Sequence, residues 1–393
     1  MRYIPRHAAR ALAGLLRNFP AVLVYGPRQC GKSTLVRAQY PAWVHLDLER
    51  PVDYSLLQAD LEGFFDANPR RVVIDEAQRL PELFPALRHV IDRAPGRGRF
   101  LLLGSAHPAF LRTASETLAG RLGLLELTPF TVRELAAVGR RRERWFWGGF
   151  PPVHARRNAV ARAAWLDSYV SAFLERDLPS LGPRLPAPRL RALWTMLTHV
   201  HGSLLNVSDL ARSLTVSSHT VADHLDVLEA AQMVRRLAPH HANVQKRLTK
   251  SPKVYVRDTG LLHFLAGLRR PGELLTWPRR GHSFEGLVVE ELCTLAVASL
   301  VRPELSFWRT QAGAEVDLLI GDGRRLLPVE IKLGASVDRH GLAGLRQCMA
   351  DLGLRRGLVV YTGTERRALG RGIELVPWSE IAAGRETLGL GAR

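Results

Sequence analysis

Ala21-Val22-Leu23-Val24-Tyr25-Gly26-Pro27-Arg28-Gln29-Cys30-Gly31-Lys32-Ser33-Thr34-Leu35-Val36 passes from a short apolar, partly β-branched run through a glycine loop into a helix start. Gly26 to Ser33 keeps the spacing G-x-x-x-x-G-K-[ST], after a buried strand and before a helix N-terminus, where a phosphate loop works. Glycines there let successive backbone N–H groups turn inward on phosphate oxygens. Lys32 is set to reach the β- and γ-phosphates of a nucleoside triphosphate, and the Ser33 hydroxyl to meet its Mg²⁺. The residues expected to hold the nucleotide are therefore Gly26, Pro27, Arg28, Gln29, Cys30, Gly31, Lys32, Ser33 and Thr34.

Two further apolar runs complete this reading. Arg71-Val72-Val73-Ile74 ends in Asp75-Glu76. Asp75 is expected in the Mg²⁺ shell, and Glu76 is expected to orient or deprotonate the attacking water. Phe100-Leu101-Leu102-Leu103-Gly104 ends at Ser105, a hydroxyl suited to sense the γ-phosphate. Strands alternating with helices in this order predict an α/β domain on a parallel sheet over residues 1–130.

From here a resemblance becomes specific. Tyr3-Ile4-Pro5-Arg6, the phosphate loop, Asp75-Glu76-Ala77-Gln78, Leu103-Gly104-Ser105 and Leu118-Ala119-Gly120-Arg121 follow one another. Lys250-Ser251-Pro252-Lys253-Val254-Tyr255, Asp258-Thr259-Gly260-Leu261 and Phe307-Trp308-Arg309 continue the succession. The whole resembles a prokaryotic family of AAA+-type P-loop ATPases with a C-terminal domain of unassigned function. The resemblance implies ATP as the nucleotide and Arg121 as the arginine that completes an ATP site, a neighbour's or its own. Arg144 to Leu178, rich in helix formers and aromatics, suits the small helical lid beside such a site, expected over residues 131–188. Ser33 stands where threonine is commoner, and Ala106-His107-Pro108 follows Ser105 where small polar residues are usual.

The chain has 393 residues, a net charge of +18 and a pI near 10.9. That length accommodates two or three domains, and that charge suits polyanionic partners, nucleotides or nucleic acid. The basic pairs are scattered, however, from Arg140-Arg141-Arg142 to Arg366-Arg367. Lysine occurs at only five positions, Lys32, Lys246, Lys250, Lys253 and Lys332, so each is worth weighing as a compact ammonium in place of a guanidinium. Cys30, Cys293 and Cys348 lack the spacing of a disulfide framework or a zinc site. No apolar run spans a bilayer and the N-terminus lacks a signal-peptide core, so a cytoplasmic protein without membrane contact is expected.

Residues 189–268 read as a winged-helix-like domain. Val207 to Leu214 and a second helix from Ser218 flank the turn Thr215-Val216-Ser217, with Val221, Leu225 and Leu228 on one buried face. Ser217 or Ser218 should cap the second helix. His219, Asp223, Asp226 and Glu229 would face outward, without lysine or arginine on that helix. Base reading and phosphate neutralisation favour basic or amide groups, so a protein or interdomain contact suits this helix better than sequence-specific DNA. Lys246, Arg247, Lys250 and Lys253 then crowd the wing, where they could grip a phosphate backbone, contact the nucleotide domain or form a solvated face.

Residues 269–393 begin with an amphipathic helix from Ser283 carrying Glu285. Strands are expected over 305–309, 315–320 and 326–332, then a helix over 342–352 and a strand over 357–361. Residues two apart on a strand share a face, so Glu330 and Lys332 point together and Asp317 meets them from the adjacent strand. This resembles the PD-(D/E)xK nuclease fold. The resemblance implies a second Mg²⁺ or Mn²⁺ held by Asp317, Glu330 and Glu285, with Lys332 placing water for phosphodiester cleavage. The function expected from the whole chain is an ATP-binding, ATP-hydrolysing protein that couples nucleotide state to nucleic-acid binding or cleavage, in a homo-oligomer. The alternative is an ATP-driven switch whose later domains only bind partners.

Overall fold

The computed structural model of the chain describes residues 3–106, 108–177, 186–240, 251–300, 302–338, 340–384 and 388–390. Two units form. The first comprises Met1–Phe130, Phe150–Pro152 and Ala230–Gln232; the second comprises Thr131–Gly149, Val153–Glu229 and Met233–Arg393.

In the first unit five strands lie side by side: β1 (Ala21–Tyr25), β2 (Val44–Asp47), β3 (Val72–Asp75), β4 (Phe100–Gly104) and β5 (Leu122–Glu126). Their order is β2-β3-β4-β1-β5, and all pairings are parallel. The near-continuous apolar runs have a direct cause, since a parallel sheet is covered on both faces. Alternation sends Leu23, Ile74, Phe100 and Leu102 into one core. Val22, Val24, Val73, Leu101 and Leu103 enter the other. The carboxyl ends of β3, β4 and β1 are thereby set next to one another, with Tyr25 level with Gly104.

The second unit opens with the short helices Val132–Ala136 and Arg141–Trp147, takes up the helix Pro151–Ala155 from Val153 on, and continues with the longer Ala159–Ala172. The residues expected as a lid belong here, apart from Phe150–Pro152. Buried polar contacts within the unit explain the assignment. Trp145 donates to Ser283 Oγ (3.0 Å), and His263 meets the same hydroxyl (2.7 Å) and the Phe146 carbonyl (2.9 Å). Arg144 lies 3.4 Å from Glu291, whose carboxylate also accepts from the Val132 N–H (2.9 Å).

Then follow the helix Ala187–His199, β6 (Ser203–Leu204), the helices Val207–Leu214 and Ser218–Ala230, β7 (Val234–Pro239) and β8 (Lys253–Val256). Val221, Leu225 and Leu228 are buried, as the pattern requires, and Ser217 Oγ accepts from the Thr220 N–H (3.0 Å). The C-terminal part supplies the helix Arg280–Ser299, β9 (Glu304–Arg309), β10 (Glu315–Gly321), β11 (Leu326–Lys332), the helix Ala343–Asp351, β12 (Gly357–Tyr361), β13 (Arg367–Ala368) and β14 (Ile373–Pro377).

The expected boundary near residue 268 is not a break in the sheet. β7 pairs in parallel with β9, Ala238 with Ser306 and Pro239 with Phe307. One mixed sheet therefore runs β13-β14-β12-β11-β10-β9-β7-β8-β6. Its core joins Tyr255, Phe284, Leu287, Phe307, Leu318, Val329 and Leu358. Both long strands expected to form a wing are committed to neighbours, β8 to β7 and β6, and β7 to β8 and β9.

Candidate functional site

The glycine loop leaves β1 at Gly26 and ends in the helix Lys32–Gln39. A Cβ at Gly26 would stand 2.2 Å from the Leu127 carbonyl oxygen, so only glycine fits that exit. Gly31, the residue before the helix, has φ of 103°, a left-handed conformation that glycine adopts without strain. Pro27 and Cys30 are buried, Arg28, Gln29 and Thr34 exposed, and Ser33 lies in the first helical turn. Lys32 is buried, and its Nζ donates to the carbonyls of Gly26 (3.0 Å) and Pro27 (3.2 Å). The Arg6 guanidinium donates to the carbonyls of Cys30 (2.8 Å) and Thr128 and lies 4.9 Å from the Phe130 ring centre. It braces the loop from behind.

Asp75 closes β3, and its carboxylate accepts from the Glu76 N–H (3.0 Å). Glu76 itself has φ of 55°, in the left-handed region that a side chain enters at a cost of order 1–3 kcal/mol. Gln78 donates through Nε2 to Glu76 Oε2, a contact that sequence reasoning missed because glutamine carries no catalytic signature of its own. Burial pushes the Glu76 carboxyl up, Lys32 opposes the shift and Asp75 adds to it. A carboxylate with a raised pKa suits a general base. Ser105 directly follows β4, beside the start of the glycine loop. Lys32, Ser33, Asp75, Glu76 and Ser105 thus share one end of the sheet.

Arg121 does not join them. It precedes β5 at the opposite end, where the Ala21 N–H donates to its carbonyl (3.1 Å). Its guanidinium takes Asp92 in a bidentate pair, 2.6 and 2.9 Å. The five residues of β1 put roughly 17 Å between this position and the loop, beyond the reach of an arginine within the same chain.

In the second unit the outward acids of the Ser218–Ala230 helix are largely taken. His219 and Asp223 pair at 2.9 Å, and Arg236 of β7 holds both Asp226 and Glu229 at 2.6 Å. Lys246, Arg247 and Lys250 lie outside the described residues. Lys253 corrects the expectation of a basic wing, for it is 1% exposed on β8. Its Nζ meets Glu285 Oε1 (3.0 Å), Asp317 Oδ1 (3.2 Å) and Glu315 Oε1.

The C-terminal residues come together as their strands predict. Asp317 on β10 accepts the Ile331 N–H through Oδ2 (2.9 Å), and Glu330 on β11 takes Lys332 at 2.6 Å. Glu285, from the Arg280–Ser299 helix, also accepts from the Tyr255 hydroxyl (2.6 Å). Burial and the neighbouring Asp317 push Glu285 up to about 7 and Glu330 up to about 8. Among the described residues no group of three or more histidine, cysteine, aspartate or glutamate side chains is disposed to hold a metal ion. The expected second Mg²⁺ or Mn²⁺ therefore finds carboxylates already occupied by ammonium groups, Lys253 on Asp317 and Glu285, and Lys332 on Glu330.

Among the described residues no helix is long and apolar enough to cross a membrane. Three family models match the chain. They are "AAA domain" over residues 18–136, "Domain of unknown function (DUF8612)" over 139–272 and "Domain of unknown function (DUF4143)" over 280–381. A solved Thermotoga maritima RuvB variant is 20% identical, with 59% of this chain and 90% of that chain covered and a TM-score of 0.31. "Uncharacterized protein Rv2008c" of Mycobacterium tuberculosis and "Uncharacterized protein Mb2031c" of Mycobacterium bovis are each 43% identical over 381 residues, 96% of this chain and 84% of theirs. On that likeness the chain belongs to the family of these two mycobacterial proteins, carrying an AAA domain followed by two domains of unknown function.

Proposed function

We propose that the chain binds ATP at Gly26 to Thr34 and hydrolyses it, with Glu76 acting on the attacking water. What supports this most is the convergence of Lys32, Ser33, Asp75, Glu76 and Ser105 at the carboxyl ends of β1, β3 and β4, in a chain that matches an AAA domain. Mg²⁺ would be held by Ser33 and Asp75, hard oxygen donors that suit it, and would offset charge on the phosphates. Lys32 grips phosphate, Gln78 fixes the Glu76 carboxylate, and Ser105 reports the γ-phosphate. The test is direct. Lys32→Ala should weaken ATP binding at least tenfold in a nucleotide titration while leaving the melting temperature of the unliganded protein near wild type. Undiminished affinity would remove the loop from the site.

Arg121 is proposed to act on the ATP site of a second copy, since its own loop is out of reach. Arg121→Ala should then lower hydrolysis without weakening ATP binding. Mixing it with Lys32→Ala protein should restore activity at hybrid interfaces. No restoration, together with a monomer by light scattering under ATP, would make the Asp92 pair purely structural.

For the second unit we infer a helix-turn-helix module of winged-helix strand order joined to a PD-(D/E)xK-like fold, serving as the partner-binding end of an ATP switch. The acidic, self-paired face of the Ser218–Ala230 helix supports a protein contact over base reading. Nucleic-acid cleavage has less support, because Lys253 stands among the carboxylates that would carry it.

A further inference from the structure

The Lys253 side chain crosses from β8 of the helix-turn-helix module into the carboxylate cluster of the C-terminal fold. An ammonium has three N–H donors and no acceptor. Here each donor has a carboxylate: Glu285 at 3.0 Å, Asp317 at 3.2 Å and Glu315. Both oxygens of Asp317 are engaged in turn, Oδ1 by Lys253 and Oδ2 by the Ile331 N–H. Glu285 shares Oε1 between Lys253 and Tyr255, and Glu315 also takes Arg309. The Phe307 ring centre lies 5.8 Å from the ammonium and helps keep it dry. One atom of the cluster has no partner, the buried Oε2 of Glu330.

A divalent metal needs Asp317 and Glu330 to present free oxygens together, and Mg²⁺ demands a near-octahedral shell. The residues present do not fit such an ion. We propose that Lys253 is the resident cation of this cluster, standing in place of the divalent metal that the PD-(D/E)xK resemblance implies. The C-terminal fold is then a metal-free element held to the helix-turn-helix module through a buried ammonium. This inference is independent of the nucleotide reading, since every residue it uses lies in the second unit.

Replacing the ammonium by an isosteric apolar chain should turn the cluster into the cation site it otherwise resembles. Lys253→Met leaves Glu285, Glu315 and Asp317 unbalanced beside the orphaned Glu330 oxygen, and paired carboxylates without a cation repel one another. The experiment titrates Mn²⁺ alone, without nucleotide, into the full chain and into three variants: Asp317→Asn, Lys253→Met, and the two combined. Binding is followed by calorimetry and by the loss of the free-Mn²⁺ electron-spin signal. Wild type and Asp317→Asn should superpose, because the cluster takes up no Mn²⁺ and any binding at the glycine loop is common to both. Lys253→Met should gain one further Mn²⁺ per chain and a rise in melting temperature with added Mn²⁺, both abolished in the combined variant. Mn²⁺ uptake by wild type that Asp317→Asn removes would overturn the proposal. A folded Lys253→Met protein that gains no ion would overturn it equally. Should Lys253→Met fail to fold, the wild-type and Asp317→Asn pair still decides.

Discussion

Glu76→Gln is expected to cut ATP turnover by roughly 10²–10⁴-fold, the usual contribution of a positioned general base, while ATP affinity stays at the wild-type level. The substitution keeps the shape of the side chain and an acceptor oxygen for the Gln78 amide, but it cannot take a proton. It also leaves Lys32 and the glycine loop untouched. Phosphate release and nucleotide titration, run on the same preparation, separate the two effects. Undiminished turnover would move water activation to another group. A parallel loss of binding would mean instead that the strained Glu76 backbone had relaxed and displaced Asp75.

Consecutive glutamates on one helix should respond to neutralisation in opposite ways. Glu290 is buried between two guanidinium groups, Arg235 at 2.5 and 3.1 Å and Arg257 at 3.0 Å. Burial alone would raise its pKa, but the two arginines win and hold it down at about 2. Glu291 is equally buried, faces Arg144 at 3.4 Å and the Val132 N–H, and is pushed up to about 7. Glu290→Gln removes the buried negative charge that the half-buried Arg235 and Arg257 share. Removing one partner of a buried ion pair costs about 3–5 kcal/mol, which in a unit of this size lowers the melting temperature by roughly 10 °C. Glu291→Gln keeps the acceptor for Val132 and loses a charge the site disfavours, so its melting temperature should stay near wild type. The pH dependence has a definite sign. The folded pKa of Glu290 lies below its unfolded value near 4.3, so its stabilisation is complete above that value and disappears as pH falls toward 2. Melting curves of both variants check the contrast, and an equal loss in the two would mean that shape, not charge, governs this helix.

Strands and loops of the nucleotide half were legible where burial on both faces forces uninterrupted apolar runs, as in β1, β3 and β4. The outer strands β2 and β5 were not. Val44 and Leu124 are exposed there and Gly123 interrupts the run, so neither stretch carries the signal of a buried strand. The register of Asp317, Glu330 and Lys332 followed from strand alternation alone. The fate of Lys253 was illegible because its local company is basic, whereas its carboxylate partners lie 32, 62 and 64 residues further on. Charge read locally spoke for a solvated face, and tertiary pairing reversed it. The brace from Arg6 to the glycine loop was hidden for the same reason, since its contacts span 24 and 122 residues.

Heredity and mechanics draw different boundaries in this chain. The family models part between residues 272 and 280, yet the parallel seam of β7 and β9 crosses that line. A cut there would leave two raw edges with unanswered N–H and C=O groups, each a template for capture by another chain. What sequence comparison counts as two inherited modules shares one hydrogen-bonded sheet, so a single melting transition is the expected result for the pair. The Ser218–Ala230 helix, pinned to β7 through Arg236, is in this way fastened to the same hydrogen-bonded sheet as β14.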